Sequence, residues 1–271
     1  MASTPIELRD ITRVVRRDVL TMLLEAGSGH AGGSLSAVDV LVALYWQVMN
    51  VRPERPGWES RDRFVLSKAH ASPALYSVLA RRGYFDVRDL LTFRKLKSKL
   101  QGFPDMHKTP GIDASVGSPG QGLSIANGIA IAAKRAGVAF RVYCLMGDGE
   151  AHEGQVWEAA MTAAHHNLDN VCAIIDRNMM MGDGSTEEIV ALSPLADKWR
   201  TFNWFVIEAD GHDIERLLAA FSQASSVKGR PTLVLARTVK GKGVPFMEGK
   251  AEWHDRKLTE ELYEEAMKAL S

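Results

Sequence analysis

An aspartate between two glycines, Gly147-Asp148-Gly149, is followed thirty residues on by Asn178. Glycines let backbone N–H groups approach a phosphate closely. Asp148 offers a carboxylate, Asn178 an amide oxygen, and a carbonyl just after Asn178 is a candidate third oxygen. Mg²⁺ wants about six oxygens, and two phosphate oxygens and a water would complete that set. The residue types therefore suit a diphosphate held through a metal. Taken alone, the tripeptide also suits an ordinary turn and the asparagine a strand cap. What favours the ligand is the asparagine at this spacing inside one strand–helix–strand unit.

That unit is legible on either side. Phe140–Met146 is a short apolar run stopped by glycine, which predicts a buried strand. Val156, Ala159, Ala160, Ala163 and Ala164 recur at helical spacing and predict a helix over 153–167. Val171–Ile175 predicts a second strand. A right-handed crossover makes the two strands parallel and puts Asp148 and Asn178 at one carboxyl edge, where open α/β sheets bind ligands. Further strands are expected at 64–66, 205–207 and 232–236. Helices are expected at 7–26, 36–49 (capped by Ser34 or Ser36), 72–82, 86–100, 123–136, 192–204 and from 213 to about 226. The fold class is α/β, a mostly parallel doubly wound sheet in a single domain over 1–271, with a helical and loop segment of about 1–110 packed on it. His30 sits among glycines in Gly27-Ser-Gly-His-Ala-Gly-Gly33, and His70 follows the 64–66 strand in Ser67-Lys-Ala-His70. The loop 115–122 leads into a helix whose first N–H groups can meet an anion. The basic run 94–99 reads as a solvated face, Met179 and Met181 as core plugs. Adjacent His165 and His166 are expected on different helix faces, with no shared metal.

The Gly-Asp-Gly…Asn pattern resembles the thiamine-diphosphate signature. The longer stretch Gly147-Asp-Gly-Glu-Ala-His-Glu-Gly-Gln-Val-Trp-Glu158 is similar to the transketolase family. The two histidine loops and Glu252-Trp-His-Asp255 extend the resemblance over nearly the whole chain. It implies a thiamine-diphosphate-binding fold of the diphosphate-binding type. Asp148, Asn178 and the Met180 carbonyl would bind the metal, as Mg²⁺, Ca²⁺ or Mn²⁺. His70 and His254 would lie beside the diphosphate, His30 would face the substrate, and Gly117, Gly147 and Gly149 would touch the cofactor. Glu153 would lie near it, where the subunits meet. His30, His70 and His254 would supply acid–base groups and hydrogen bonds to substrate oxygens.

The chain resembles the N-terminal subunit of a split transketolase, which implies a separate pyrimidine-binding partner carrying the glutamate that activates the cofactor, in an α2β2 assembly. Two-carbon transfer from a ketose or 2-oxo acid to an aldehyde is the implied reaction. Acyloin formation from another 2-oxo acid, or a non-catalytic cofactor-binding or regulatory role, are the competing readings. The departures concern the substrate end: Phe103 stands where the family commonly has histidine, and Pro119, Gly182 and His152 replace other usual residues, while the metal ligands are intact.

Composition narrows the classes. In 271 residues, 33 basic and 33 acidic side chains cancel, so no basic excess points to nucleic acid or an anionic membrane. The charged N-terminus lacks the apolar core of a signal peptide, and no apolar run is expected to approach a membrane span. Cys144 and Cys172 fall inside the two predicted strands and read as buried thiols, which suits a cytoplasmic protein.

Overall fold

The computed structural model describes residues 4–271. Five strands form one wholly parallel sheet: β1 (Arg63–Leu66), β2 (Val142–Gly147), β3 (Val171–Arg177), β4 (Phe205–Asp210) and β5 (Thr232–Arg237), in the order β1-β2-β3-β5-β4. Helices cover both faces: α1 (Pro5–Ala26), α2 (Ala31–Ala43), α3 (Ser72–Arg82), α4 (Gln121–Ala136), α5 (Gly154–His165), α6 (Thr186–Ile189), α7 (Leu195–Thr201), α8 (Ile214–Ser226) and α9 (Glu260–Ala269).

The central strands are buried on both sides, and the period of two sorts their side chains. Tyr143 and Leu145, Cys172 and Ile174, and Val234 and Ala236 join one apolar cluster, with α1, α2, α3 and α8. Val142 and Cys144, Ala173 and Ile175, and Leu233 and Leu235 join the other, with α4, α5 and α7. The two cysteines are free and buried, on opposite faces. Burial pushes both thiols up, which keeps them protonated.

Several elements differ from the expectation. The second helix begins at Ala31, not 36; His30 occupies its cap position without a side-chain cap bond, and Ser34 Oγ instead donates back to the His30 carbonyl at 2.6 Å. Its continuation to Val48, as a π-helical turn, makes an 18-residue run apolar enough by composition to cross a membrane, but 83% of that run is buried inside the protein, as a core helix. The helix expected over 86–100 is only a 3₁₀ segment, Val87–Thr92, followed by turns with Arg94 and Lys97 at positive φ. Met179 and Met181 are not core plugs: Met179 is exposed, and Met181 lines a cavity.

The strand order turns back between β3 and β5. The chain steps from β1 through β2 to β3, then passes over to β4 at the far edge and returns to β5. Loops from the two halves part at such a reversal and leave a crevice at the carboxyl ends.

Candidate active site

The crevice holds a cavity of about 370 Å³. His30, His70, Phe103, Gly117, Gly147, Asp148, Gly149, Glu153, Asn178, Met180 and His254 all line it, so the chain brings together every candidate site residue. The size falls in the usual range for a small-molecule site.

One wall is a ledge of oxygen donors on strand ends. The register Gly147↔Asp176 sets Asp148 beside the end of β3. The Asp148 carboxylate accepts from Met179 N at 2.6 Å and Gly149 N at 2.8 Å, with the Arg177 guanidinium at 3.3 Å. Asn178 Oδ1 accepts from Met180 N at 3.0 Å. Burial and the nearby charge of Asp176 raise Asp148 above the usual carboxylate range. A bound dication relieves that cost directly. Among the described residues no three His, Cys, Asp or Glu side chains form a metal cage. A cation on Asp148 would have to draw its other donors from amide and carbonyl oxygens and from the ligand, an all-oxygen set whose chemistry suits Mg²⁺, Ca²⁺ or Mn²⁺.

Beneath the ledge lies a buried ion pair that sequence reading does not reach. Lys68, just after β1, pairs with Asp176, the penultimate residue of β3, and both are essentially inaccessible. Asp176 also accepts from Ser36 Oγ at 2.6 Å and from Thr238 Oγ1. Burial alone would raise Asp176; Lys68 and these hydroxyls outweigh it and hold the group below its usual range. Glu150 is a second buried carboxylate, accepting from Gly147 N at 3.0 Å, Gly120 N at 2.8 Å and Ser67 Oγ. Because Gly120 donates to Glu150 and Gly122 N donates to Ser67 Oγ at 3.1 Å, these two amides at the start of α4 are not free for an anion, contrary to the expectation for that junction. A side chain at 122 would put its Cβ 2.4 Å from the Ser67 side chain, so this close approach requires glycine.

The second wall is built from the cap of α2 and two short 3₁₀ turns, Ala69–Ala71 and Ala251–His254. The rings of His30, His70 and His254 form a near-equilateral triangle, with centroids 5.2–5.4 Å apart. His70 is closed in from behind by Gly33, where a Cβ would stand 2.8 Å from its Nε2. Burial lowers all three imidazoles. His30 falls to about 4, helped by the charges of His254 and Arg94, and His70 falls well below its usual value. All three are thus neutral at pH 7, each with one N–H donor and one acceptor nitrogen. Lys240 completes this wall, donating to the Met181 carbonyl at 2.7 Å with its Nζ 3.3 Å from His254 Nδ1. Burial, then repulsion from Lys68, lowers it to about 8. Phe103 is half-exposed on the rim, near Gly117. Glu153 lies exposed at the same opening.

Lys68, Glu150, Asp176 and Lys240 are the site residues that sequence reasoning misses. The available signal is a charged residue at or just past the end of an apolar strand, as in Ile175-Asp176 and Leu66-Ser-Lys68. Histidines outside the site have other places. His212 lies 2.6 Å from Asp39 and accepts from Val239 N at 2.8 Å. His152 holds the carbonyls of Gly149 and Val190. The rings of His165 and His166 meet edge-on at 5.0 Å, unlike the separate faces expected, because His166 lies past the last residue of α5.

The family "Transketolase, thiamine diphosphate binding domain" matches residues 8–270. The 6-deoxy-6-sulfo-D-fructose transketolase subunit SqwG of Clostridium sp. (strain MSTE9) is 45% identical over 270 residues, covering 100% of this chain and 98% of that one. An apulose-4-phosphate transketolase subunit from Phocaeicola vulgatus is 41% identical over 256 residues, 94% of this chain and 91% of its own. The crystal structure of transketolase from Campylobacter jejuni superposes with a TM-score of 0.91 at 33% identity, over 97% of this chain but only 42% of that one. The chain thus spans nearly the full length of the subunit relatives and about two fifths of that transketolase. With the cavity described above, these matches place the chain in the transketolase N-terminal, thiamine-diphosphate-binding family, as a transketolase-like subunit of the transferase class.

Proposed function

We propose that this chain is the diphosphate-binding half of a two-subunit transketolase, moving a two-carbon unit from a ketose with an anionic end group to an aldehyde. The observation that carries the reading is one cavity with an oxygen ledge on one wall and three neutral imidazoles on the other. The two subunit relatives act, by their names, on a sulfosugar and a sugar phosphate.

Asp148, Asn178 and the Met180 carbonyl would hold Mg²⁺ or a similar dication. His70, His254 and Lys240 would face the diphosphate, with Gly117, Gly147 and Gly149 offering close backbone approach. When bound, thiamine diphosphate supplies a nucleophilic carbon and an electron sink for the two-carbon unit. The chain's own work is positional and protic. His30 and His254, being neutral, can take a proton from a substrate hydroxyl through one nitrogen or donate from the other to its oxygen.

The pyrimidine-binding half, with its activating glutamate, would come from a separate partner chain that covers the rim at Glu153, in a 2:2 assembly in the cytoplasm. A second reading rests on Phe103. A phenyl ring on the rim offers no hydrogen bond to a donor hydroxyl, which favours a less hydroxylated 2-oxo acid and acyloin formation. Reconstitution tests the main reading. The purified chain should transfer nothing from any ketose, and should gain turnover on adding the partner, thiamine diphosphate and Mg²⁺. Robust turnover by the isolated chain, or none by the assembly, would overturn it.

A further inference from the structure

We propose that Arg177 is a positioning residue for the cation site: its guanidinium clasps the loop rooted at Asn178 and Met180 onto Asp148, and so sets the spacing of the oxygen donors. The inference rests on the cation reading above and assigns the geometry of that site to a residue outside the donor set.

The loop has no apolar anchor of its own. Between Met179 and Ala191 only Thr186 is buried, while Met179, Ile189 and Val190 are exposed. Backbone bonds give the start of the loop its shape. Met181 N donates to the Gly184 carbonyl at 2.8 Å, Thr186 N donates to the Met179 carbonyl at 3.0 Å, and Met180 bridges Ser185. Those bonds are internal to the loop and do not fix its place on the sheet.

Its place is fixed by side chains, and Arg177, the last residue of β3, supplies the most contacts. Its NH1 donates to Thr186 Oγ1 at 2.8 Å and its NH2 to Glu187 Oε1 at 2.5 Å. Glu187 in turn accepts from Leu192 N at 3.2 Å and Ser193 N at 3.3 Å, which closes the far end of the loop. The same NH1 reaches Asp148 Oδ2 at 3.3 Å, the oxygen that also accepts from Met179 N. One guanidinium thus touches both halves of the donor set, the carboxylate after β2 and the loop after β3.

Its three contacts differ in strength. The bond to Asp148 is the longest, whereas those to Thr186 and Glu187 are short. Arg177 therefore holds the loop firmly and leaves the Asp148 carboxylate to a cation. Two effects of opposite sign follow. The Arg177 side chain is only 7% exposed, so its charge repels a nearby dication with little screening, and the paired Glu187 offsets that repulsion. As a clasp it strengthens binding, because it holds Asn178 and the Met180 carbonyl at one spacing from Asp148. Outer partners that orient ligands contribute about tenfold to a hundredfold in metal affinity. With its charge offset by Glu187, the clasp outweighs the repulsion.

The test titrates Mg²⁺ and Ca²⁺ by calorimetry into the reconstituted assembly in excess thiamine diphosphate, which reads binding without turnover. Arg177→Met and Arg177→Gln remove the clasp in an apolar and a polar form. Glu187→Gln loosens it from the loop side and leaves the sheet untouched. Mg²⁺ affinity should fall about tenfold to a hundredfold in the Arg177 variants, and less in Glu187→Gln. Ca²⁺ affinity should fall less than Mg²⁺ affinity, because Ca²⁺ accepts a looser set of oxygens and Mg²⁺ demands a near-ideal octahedron. The double variant Arg177→Met with Glu187→Gln should lose no more than Arg177→Met alone, because the two side chains act as a unit. Tighter binding in the Arg177 variants would make the guanidinium a competitor for Asp148, and Mg²⁺ affinity within threefold of wild type would make it a brace of the fold; either result overturns the inference. If both Arg177 variants misfold, Glu187→Gln decides, and unchanged Mg²⁺ affinity in it overturns the inference. A wild-type assembly that takes up neither cation overturns the cation reading as well.

Discussion

The two walls of the cavity are made in different ways. The ledge of Asp148, Glu150 and Asp176 stands on the ends of β2 and β3, and each carboxylate accepts at least two hydrogen bonds from the protein. The imidazole wall stands on a helix cap and two 3₁₀ turns outside the sheet: His254 has Lys240 beside it, at 3.3 Å, and the side chain of His30 caps nothing. Strand register positions the ledge, and each carboxylate already has protein partners, although burial still holds Asp148 and Glu150 above the usual carboxylate range. The imidazoles are desolvated, and for His30 and His254 the nearby carboxylate of Asp255 opposes that effect without outweighing it. Removing a ledge residue should therefore damage the fold or metal-dependent cofactor binding, and removing a residue of the imidazole wall should spare the fold and damage ligand binding, catalysis or choice of substrate.

The largest effect is expected at Asp148. Asp148→Ala removes the carboxylate proposed to hold the metal, and thiamine diphosphate with Mg²⁺ should no longer bind in the assembly, read by calorimetry or by quenching of intrinsic fluorescence. Unchanged affinity would remove Asp148 from the metal site. Next comes Asp176→Ala, which strands the Lys68 ammonium in the interior. Breaking a buried pair from one side costs about 3–5 kcal/mol, so the urea midpoint of the chain should drop steeply. His254→Ala supplies the contrast: its stability should stay within about 1 kcal/mol of wild type while turnover falls. A His254 variant as unstable as the Asp176 variant would erase the distinction between the walls.

Phe103→His should change donor choice by about tenfold to a hundredfold. An unpartnered buried hydroxyl costs about 1–3 kcal/mol, which the histidine recovers for a hydroxylated donor. The measurement is kcat/KM for hydroxypyruvate against pyruvate in both proteins. A wild type that strongly prefers hydroxypyruvate, with no gain from histidine, would show that Phe103 does not set the choice. The smallest effect concerns pH. Lys240 loses its proton near 8 in the free chain, so its attraction for a diphosphate is present below that pH and fades above it. Inorganic pyrophosphate should bind less tightly at pH 9 than at pH 7, by no more than about tenfold for one cavity-lining charge. An affinity flat across that range in wild type, or an equal slope in Lys240→Met, would remove Lys240 from the diphosphate wall.

Much of the fold and of the site is legible in the sequence. The apolar runs that form β2 and β3, with a helical pattern between, place Asp148 and Asn178 at one edge because a crossover has one hand. The three histidine segments are legible only through resemblance to the family; read alone, the Gly-rich stretch around His30 suits an ordinary turn. The segment after Thr92 departs from expectation because tertiary packing overrides the helix-favouring Arg, Lys and Leu: Phe93 and Leu100 are buried, Leu96 is left exposed, and the Arg94 N–H closes onto the Leu100 carbonyl. The N-terminus of α4 departs because its amides are satisfied by Glu150 and Ser67, partners far away in the chain.

What the amino-acid order determined by itself is local: the strand–helix–strand unit, the glycines beside Asp148, and the residue types suited to a dication and a diphosphate. What only the tertiary structure decided is who stands next to whom across the sheet. Lys68 meets Asp176 because β2 lies between β1 and β3 and sets their register, and Thr238 reaches Asp176 and Lys240 reaches the cavity because β5, and not β4, pairs with β3. Arg94 differs from its basic neighbours only because its turn folds under Gly102 and leaves one buried donor open. Charge and polarity are properties of a residue, but desolvation and Coulomb energy depend on separations that the chain acquires only by packing.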